Sequence, residues 1–382
     1  MVKKKMAFVD LTNYKDWPMG GMLEYELAIL KYLVEEYDVD IYGVSVNGNA
    51  NKELIINEKK HPIHIWGDAK TRKKIIPNYW RGLGLISLRH NFPKDYDIVY
   101  AHTGSCVIAL NAMVDRKKTK VLYHQHGLNH MADYSLMSLI QRPGLAAAQR
   151  LADIVYVVSN VESVQVFADK MKNKTKAKFI PIGSPLDLSK FDEEKVREKI
   201  RNRKQEKSNV FLYTGRLSAF KNAKMLISAM KLYVEKKDSK ALLYIAGSGD
   251  EFDNLKKQIK TEKLDGNIKL LGPVSHDMIY KLLDEADVFV TASGGEGVSV
   301  SVLEAYASGL PVVCFKVPGL EGQVRDGITG VFAKEKTPSS FCDAMIQVVE
   351  KRNELGPHCL DEARKYDSEI IAKTIINGIN CV

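Results

Sequence analysis

Short apolar runs alternate along the chain with segments whose apolar residues recur at helical spacing. The runs lie at Met6 to Leu11, Val39 to Val46, Ile63 to Trp66, Ile98 to Ala101, Val121 to His124, Ile154 to Val158 and Lys178 to Ile182. Each is short and rich in β-formers, and so reads as a strand. Between Gly21 and Tyr37 the apolar positions Leu23, Leu27, Leu30 and Val34 fall on one helical face. Strands alternating with amphipathic helices predict a parallel α/β sheet.

A second series begins at Val210 to Thr214 and continues through Leu242 to Ala246, Ile268 to Leu271, Val288 to Ala292 and Val312 to Phe315, with helical patterns from about Asn222, Glu251 and His276. The stretch Gly183 to Asp187 and the charged segment Asp192 to Lys207 lack a strand pattern and read as a hinge or linker. The expected division is therefore a Rossmann-like N-terminal domain, residues 1–183, completed by a C-terminal helix in 367–382, and a second Rossmann-like domain, residues 184–366. Two doubly wound domains of this kind are expected to face a central cleft that holds the ligand.

Composition narrows the class. The chain has 382 residues, 45% hydrophobic and 27% charged, which suits a globular protein of about two domains. The apolar run that follows Lys3-Lys4-Lys5 and ends at Val9 is too short and too soon broken by Asp10 and Asn13 for a signal peptide, and no run reaches the ~20 apolar residues of a spanning helix. Five scattered cysteines, an odd number, argue against a disulfide framework and fit the cytoplasm. The net charge of +9 is concentrated early: residues 1–180 hold 26 Lys/Arg against 18 Asp/Glu, and the remainder 30 against 29. An anionic partner is one reading of this asymmetry, and a solvated lysine-rich surface is the other.

Three stretches carry candidate chemistry. In Phe211-Leu-Tyr-Thr-Gly215-Arg216-Leu-Ser-Ala-Phe-Lys221 a glycine and an arginine end a strand, and a lysine five residues later opens a helix; Arg supplies a planar fork and Lys a point charge for a diphosphate. In Ala292-Ser-Gly-Gly-Glu296-Gly297-Val298-Ser299-Val300-Ser-Val-Leu-Glu304 a strand runs through a glycine-rich loop into a helix, whose amides form an anion site. The third, Tyr123-His124-Gln125-His126-Gly127-Leu128-Asn129-His130, follows a strand. Its spacing includes no cysteine or carboxylate suited to zinc, so no metal site is expected there.

Taken with Ala246-Gly247-Ser248-Gly249, Leu271-Gly-Pro-Val274, Ala286-Asp287-Val288-Phe289 and Gly309-Leu-Pro-Val312, the Gly215-Arg216…Lys221 and Glu296-x7-Glu304 elements resemble retaining glycosyltransferases of family 4 over most of residues 208 to 335. The resemblance implies a GT-B architecture and a nucleotide-sugar donor, UDP-linked by preference, used without metal or other cofactor. It implies that Arg216 and Lys221 bind the donor diphosphate, Glu304 the ribose, and Glu296 with the backbone of Gly297, Val298, Ser299 and Val300 the sugar and phosphates. Gly215 and Gly247 would line the donor site and Val274 the base pocket. In the N-terminal domain, Gly20 and Gly21 resemble the family's glycine loop, an ordinary turn before a helix being the other reading. A histidine after the next strands would contact the sugar, with His126 preferred and His124 the fallback. Val298 and Ser299 depart from the family's usual aromatic and glycine or proline, which leaves the donor sugar open.

The resemblance further implies a glycan, lipid-linked or small-molecule acceptor. Segment 70–90, with Lys70 to Lys74, Tyr79, Trp80 and Arg81, is a candidate contact with acceptor or anionic membrane, placing the chain in the cytoplasm or at the inner membrane face, and a core helix with a basic edge is the other reading of it. Rival readings are a nucleotide-sugar epimerase of the same fold, a non-catalytic partner subunit and a glycoside hydrolase using Glu296 and Glu304. Hydrolysis gives Arg216 and Lys221 no role. A dehydrogenase fingerprint fails at Phe252, no nucleic-acid motif is present, and the Asp38-x-Asp40 and Asp95-x-Asp97 pairs lead into strands and read as solvated edges rather than metal sites.

Overall fold

The structure is a computed structural model and describes residues 2–10, 21–45, 53–68, 92–126, 136–159, 161–171, 174–202 and 208–381. The chain divides into two compact units, residues 1–185 with 368–382, and residues 186–367.

In the first unit the strands are β1 (Lys5–Val9), β2 (Asp38–Ser45), β3 (Glu53–Ile56), β4 (Lys59–Asp68), β5 (Ile98–Ala101), β6 (Lys120–Gln125), β7 (Ile154–Val158) and β8 (Lys178–Ile182). Their order is β3-β4-β2-β1-β5-β6-β7-β8, parallel except for the β3–β4 pair. The hairpin that makes β3 an edge strand is not apparent from the apolar pattern, because Glu53–Ile56 carries one buried residue, Ile56. β1, β5, β6 and β7 are almost wholly buried, as strands covered on both faces must be.

Helices α1 (Gly21–Glu36), α2 (Gly104–Asn111), α3 (Leu136–Leu151) and α4 (Val161–Met171) connect these strands. The two Asp-x-Asp pairs belong to this framework. Asp40 accepts a hydrogen bond from the Tyr96 hydroxyl at 2.6 Å, and Asp97 accepts one from the Lys5 amide at 2.8 Å.

The second unit has β9 (Val210–Thr214), β10 (Leu242–Ala246), β11 (Ile268–Gly272), β12 (Val288–Thr291), β13 (Val312–Phe315) and β14 (Gly330–Ala333), all parallel, in the order β11-β10-β9-β12-β13-β14. This is the Rossmann order, with its reversal between β9 and β12. Its helices are α5 (Glu193–Asn202), α6 (Ala223–Lys236), α7 (Phe252–Thr261), α8 (His276–Glu285), α9 (Val300–Ala307) and α10 (Pro338–Arg364).

Two expectations are corrected here. The charged segment from Asp192 is not a linker over its described part: α5 buries Val196 and Ile200 against Leu360 and lies on Gly309 and Gly356. A side chain at Gly309 would stand 2.7 Å from Ile200 Cδ1, so a glycine is what lets the helix dock. The two apolar residues, each worth roughly 1.5–3 kcal/mol when buried, outweigh the polar remainder of the segment. Lys221 also does not open a helix; it closes a 3-10 turn, Ala219–Lys221, and α6 begins after Asn222, which is left-handed at φ 51°.

The C-terminal helix α11 (Ser368–Asn380) packs in the first unit, where Ile375 O accepts from the Tyr156 hydroxyl at 2.7 Å. Among the described residues no helix is long and apolar enough to cross a membrane.

Candidate active site

In an open α/β sheet the loops at the carboxyl ends of the strands flanking the reversal form the ligand crevice. In the second unit these follow β9 and β12. After β9 the chain turns through Gly215 and is held to the loop after β10 by hydrogen bonds from Gly215 N to Ala246 O, 3.0 Å, and Leu217 N to Ser248 O, 2.8 Å. This approach is so close that a Cβ on Gly247 would stand 1.8 Å from Gly215 O. Gly247 is therefore needed for the shape of the loop, whatever a ligand requires. The Tyr213 hydroxyl donates to Arg216 O at 2.9 Å and fixes the backbone that carries the exposed Arg216 side chain.

The loop after β12 meets this turn. Gly294 N donates to Phe220 O at 2.9 Å, and Glu296 N donates to Pro318 O at 3.0 Å. These bonds bring Lys221 and Glu296 together across a sequence separation of 75: Lys221 Nζ lies 2.5 and 2.6 Å from the two Glu296 oxygens. The side chains are 26% and 12% exposed, so the pair is only partly screened by water. Among the described residues no hydrogen bond or ion pair joins the Arg216 side chain to either partner.

Gly297, Val298, Ser299 and Val300 are half-buried at the entry to α9, and Val298 packs on the core. The Ser299 backbone is gripped by Gln323, whose Oε1 accepts from Ser299 N at 2.9 Å and whose Nε2 donates to Ser299 O at 2.8 Å. Gln323 is 3% exposed and belongs to no motif, so the sequence carried no signal for it. Glu304, in the second turn of α9, is buried, and His276 Nδ1 at the start of α8 lies 4.0 Å from its Oε1. Val274 is half-buried against the core just before α8. The structure thus joins Lys221 to Glu296 and places Glu304 one helix turn or more beyond, beside a histidine that spacing alone did not single out.

In the first unit the reversal lies between β1 and β5. Three imidazoles gather at the adjacent carboxyl ends: His102 after β5, His124 in β6 and His126 just after it. His102 Nδ1 is 3.2 Å from His126 Nε2, the rings of His102 and His124 stack at 4.5 Å and 8°, and Tyr100 Oη is 2.6 Å from His124 Nδ1. Burial lowers the pKa of His102 and His124 well below the usual histidine value, with the neighbouring imidazoles adding to the effect, and pushes His126 down to about 3. All three are neutral at pH 7. His102 and the buried Glu26 of α1, 3.8 Å from His102 Nδ1, are remote in sequence from the 124–130 cluster and escaped a reading based on spacing.

Gly21 is the first residue of α1. Gly20, Gly127 to His130 and the candidate contact segment 70–90 lie outside the described residues.

Comparison with known proteins accounts for this frame. Residues 194–366 match the family model of glycosyl transferases group 1. Over nearly its full length the chain is also similar to proteins named as glycosyltransferases. It is 24% identical to an uncharacterised glycosyltransferase of Methanocaldococcus jannaschii, covering 92% of this chain and 91% of that protein. It is 26% identical to the UDP-Gal:alpha-D-GlcNAc-diphosphoundecaprenol alpha-1,3-galactosyltransferase of Escherichia coli, covering 87% of each. Among solved structures, Anabaena HepE in complex with UDP-glucose aligns with a TM-score of 0.73 at 17% identity, covering 99% of this chain and 100% of that one. Sucrose-phosphate synthase from Thermosynechococcus elongatus aligns at 0.78 and 17%, covering 99% and 98%. At these identities the structures speak for the fold, two Rossmann-like units of the GT-B class. The Lys221–Glu296 pair and Glu304 lie within the residues that the group 1 model matches.

Proposed function

We propose that the chain is a retaining, family 4-type glycosyltransferase that moves a hexose-type sugar from a nucleoside-diphosphate sugar, UDP-linked by preference, to a hydroxyl of a glycan, lipid-linked or small-molecule acceptor. The observation that carries this reading is the Lys221–Glu296 pair, built from the two loops that flank the sheet reversal, with buried Glu304 on the helix that follows. A cation and a carboxylate held together there suit a ligand with a diphosphate beside a polyol. The named specificity of the Escherichia coli relative for a UDP-sugar, and the UDP-glucose bound by HepE, support the choice of donor class.

In this reading the C–O bond between the anomeric carbon and the diphosphate breaks while the acceptor hydroxyl attacks from the same face, and the leaving phosphate oxygen takes the hydroxyl proton. Arg216, Lys221 and the amides entering α9 stabilise the negative charge that grows on the diphosphate. Glu296 hydrogen-bonds the sugar hydroxyls, Glu304 the ribose, Val274 borders the base, and His126 contacts the sugar. The backbones of Gly20, Gly21, Gly215, Gly247, Gly297, Val298, Ser299 and Val300 complete the donor site. Two cations and a helix N-terminus supply the positive charge, so the transfer is proposed to need no metal. The N-terminal domain takes the acceptor, in cell-surface polysaccharide or glycoconjugate synthesis on the cytoplasmic side, where its excess of basic residues favours an anionic membrane face.

Thermal shift with nucleotides tests the reading. At a concentration of 100 Kd, a bound UDP stabilises by about 2.7 kcal/mol, or roughly 5–10 °C for a unit of this size, with or without EDTA. If no nucleoside diphosphate or nucleotide sugar raises Tm, the reading fails.

A further inference from the structure

Burial keeps the three clustered imidazoles neutral, so each carries a single ring hydrogen, and its place decides what the other nitrogen can do. His102 Nδ1 and His126 Nε2 stand 3.2 Å apart, a contact that is favourable only when one of them carries the hydrogen. Two observations assign it to His102. Its Nε2 is buried with no hydrogen-bond partner among the described residues, and buried donors are left unpaired more rarely than buried acceptors. Glu26 Oε1 lies 3.8 Å from His102 Nδ1, and a carboxyl oxygen on that side favours the hydrogen on that nitrogen. His102 therefore donates from Nδ1, His126 accepts at Nε2, and His126 keeps its own hydrogen on Nδ1.

Resting on the proposed contact of His126 with the transferred sugar, we infer that His102 is a positioning residue for that contact: by donating to His126 Nε2 it fixes the ring and leaves Nδ1–H of His126 as the donor to a sugar hydroxyl oxygen. His102 is itself held on several sides. Its backbone N donates to Val9 O at 2.9 Å, and its ring packs on Phe8 at 4.5 Å and stacks on His124 at 4.5 Å and 8°. His124 is fixed in turn, with Nδ1 2.6 Å from Tyr100 Oη. Tyr25 stands edge-on to His126 at 5.0 Å. His102 and His124 are buried and His126 is half-buried, so within the cluster it is His126 that has surface to offer a ligand.

The chemical gain is in preorganisation. Without the bond from His102, the His126 ring is free to take either tautomer and to turn, presenting a lone pair in place of an N–H. With the bond in place the sugar hydroxyl accepts from His126 and keeps its own hydrogen for another acceptor, and no group has to reorient as the sugar is transferred. His102 touches neither sugar nor diphosphate, and its effect passes through His126.

The test has an arm without substrate and an arm with it. In the full chain carrying isotope-labelled histidine, nitrogen–hydrogen correlation spectra show which ring nitrogen bears hydrogen in each of the nine histidines, with His102→Phe and His126→Ala assigning the signals. His102 and His126 should both carry hydrogen on Nδ1; hydrogen on Nε2 of either overturns the inference. In transfer assays, His102→Phe, which keeps a ring against Phe8 and loses the donor, should lower kcat/KM by about 10-fold and leave UDP affinity unchanged. His102→Asn, whose amide N–H can stand in for Nδ1–H, should restore most of the loss. With His126→Ala already in place, His102→Phe should cost nothing further. An equal loss with and without the His126 ring would overturn the positioning role, as would a fall in UDP affinity that matches the fall in transfer. The ring hydrogens of the unaltered chain keep the test decisive where a variant does not fold. A chain that binds no nucleotide sugar defeats the functional reading and with it the contact to the sugar, whereas a chain that transfers sugar with hydrogen on His126 Nε2 defeats the inference alone.

Discussion

Replacing Lys221 by alanine is the perturbation whose consequences the geometry fixes most fully. Lys221 Nζ is bound to both oxygens of Glu296, which is 12% exposed. Breaking a fully buried ion pair leaves a charge that costs about 3–5 kcal/mol, whereas exposed pairs contribute about 0–1. With Lys221 26% exposed, water partly takes over, and the loss of stability should be about 1–2 kcal/mol. The effect on ligand should be larger than the effect on fold. A charge-assisted hydrogen bond to the diphosphate is worth about 1.5–3 kcal/mol, and at 1.4 kcal/mol per decade its loss weakens UDP binding about 10- to 150-fold.

The sign of the partner's effect separates this account from a merely structural pair. Glu296→Gln removes a negative charge beside the diphosphate and frees Lys221, so UDP affinity should hold or rise while transfer falls. Calorimetric titration of UDP into the protein, Lys221→Ala, Glu296→Gln and Lys224→Ala decides the matter. Lys224 pairs with Glu251 on the neighbouring surface and should have no effect. Equal UDP affinity in the parent and a folded Lys221→Ala would refute the reasoning, and so would a Glu296→Gln that binds UDP as poorly as Lys221→Ala.

Two further outcomes follow from the loops that build the site. Gly247→Ala places a Cβ 1.8 Å from Gly215 O and must spread the β9 and β10 loops; a loss of about 3 kcal/mol, or roughly 6–12 °C in Tm, is expected by calorimetry. Gln323→Ala leaves the Ser299 N–H and C=O without their side-chain partner, so urea unfolding should show a loss of about 1–3 kcal/mol, with a raised KM for the donor as the α9 entry loosens. An unchanged midpoint in either variant would show that the loop relaxes without cost.

The alternation of buried apolar runs with helical periodicity determined two α/β units by itself, because a strand covered on both faces has no other composition available to it. Local chemistry was legible for the same reason: a glycine after β9, a glycine-rich entry to α9, and cations and carboxylates at fixed spacing along one chain. The sequence misled where burial is decided by partners far away. The segment from Asp192 is mostly charged, yet Val196 and Ile200 suffice to dock it as α5 because Gly309 and Gly356 leave room.

Only the tertiary structure decided which charges meet. Arg216 and Lys221 stand on one short segment, but it is Glu296, 75 residues on, that binds Lys221, and no pattern along the chain encodes that distance. Likewise His124 and His126 were visible as neighbours, while His102 joins them because β5 and β6 pair in parallel, Tyr100 opposite Leu122, which carries the two carboxyl ends to one edge of the sheet. Spacing along a chain reports contacts within a turn or a helix. Pairing between strands makes contacts that spacing does not contain.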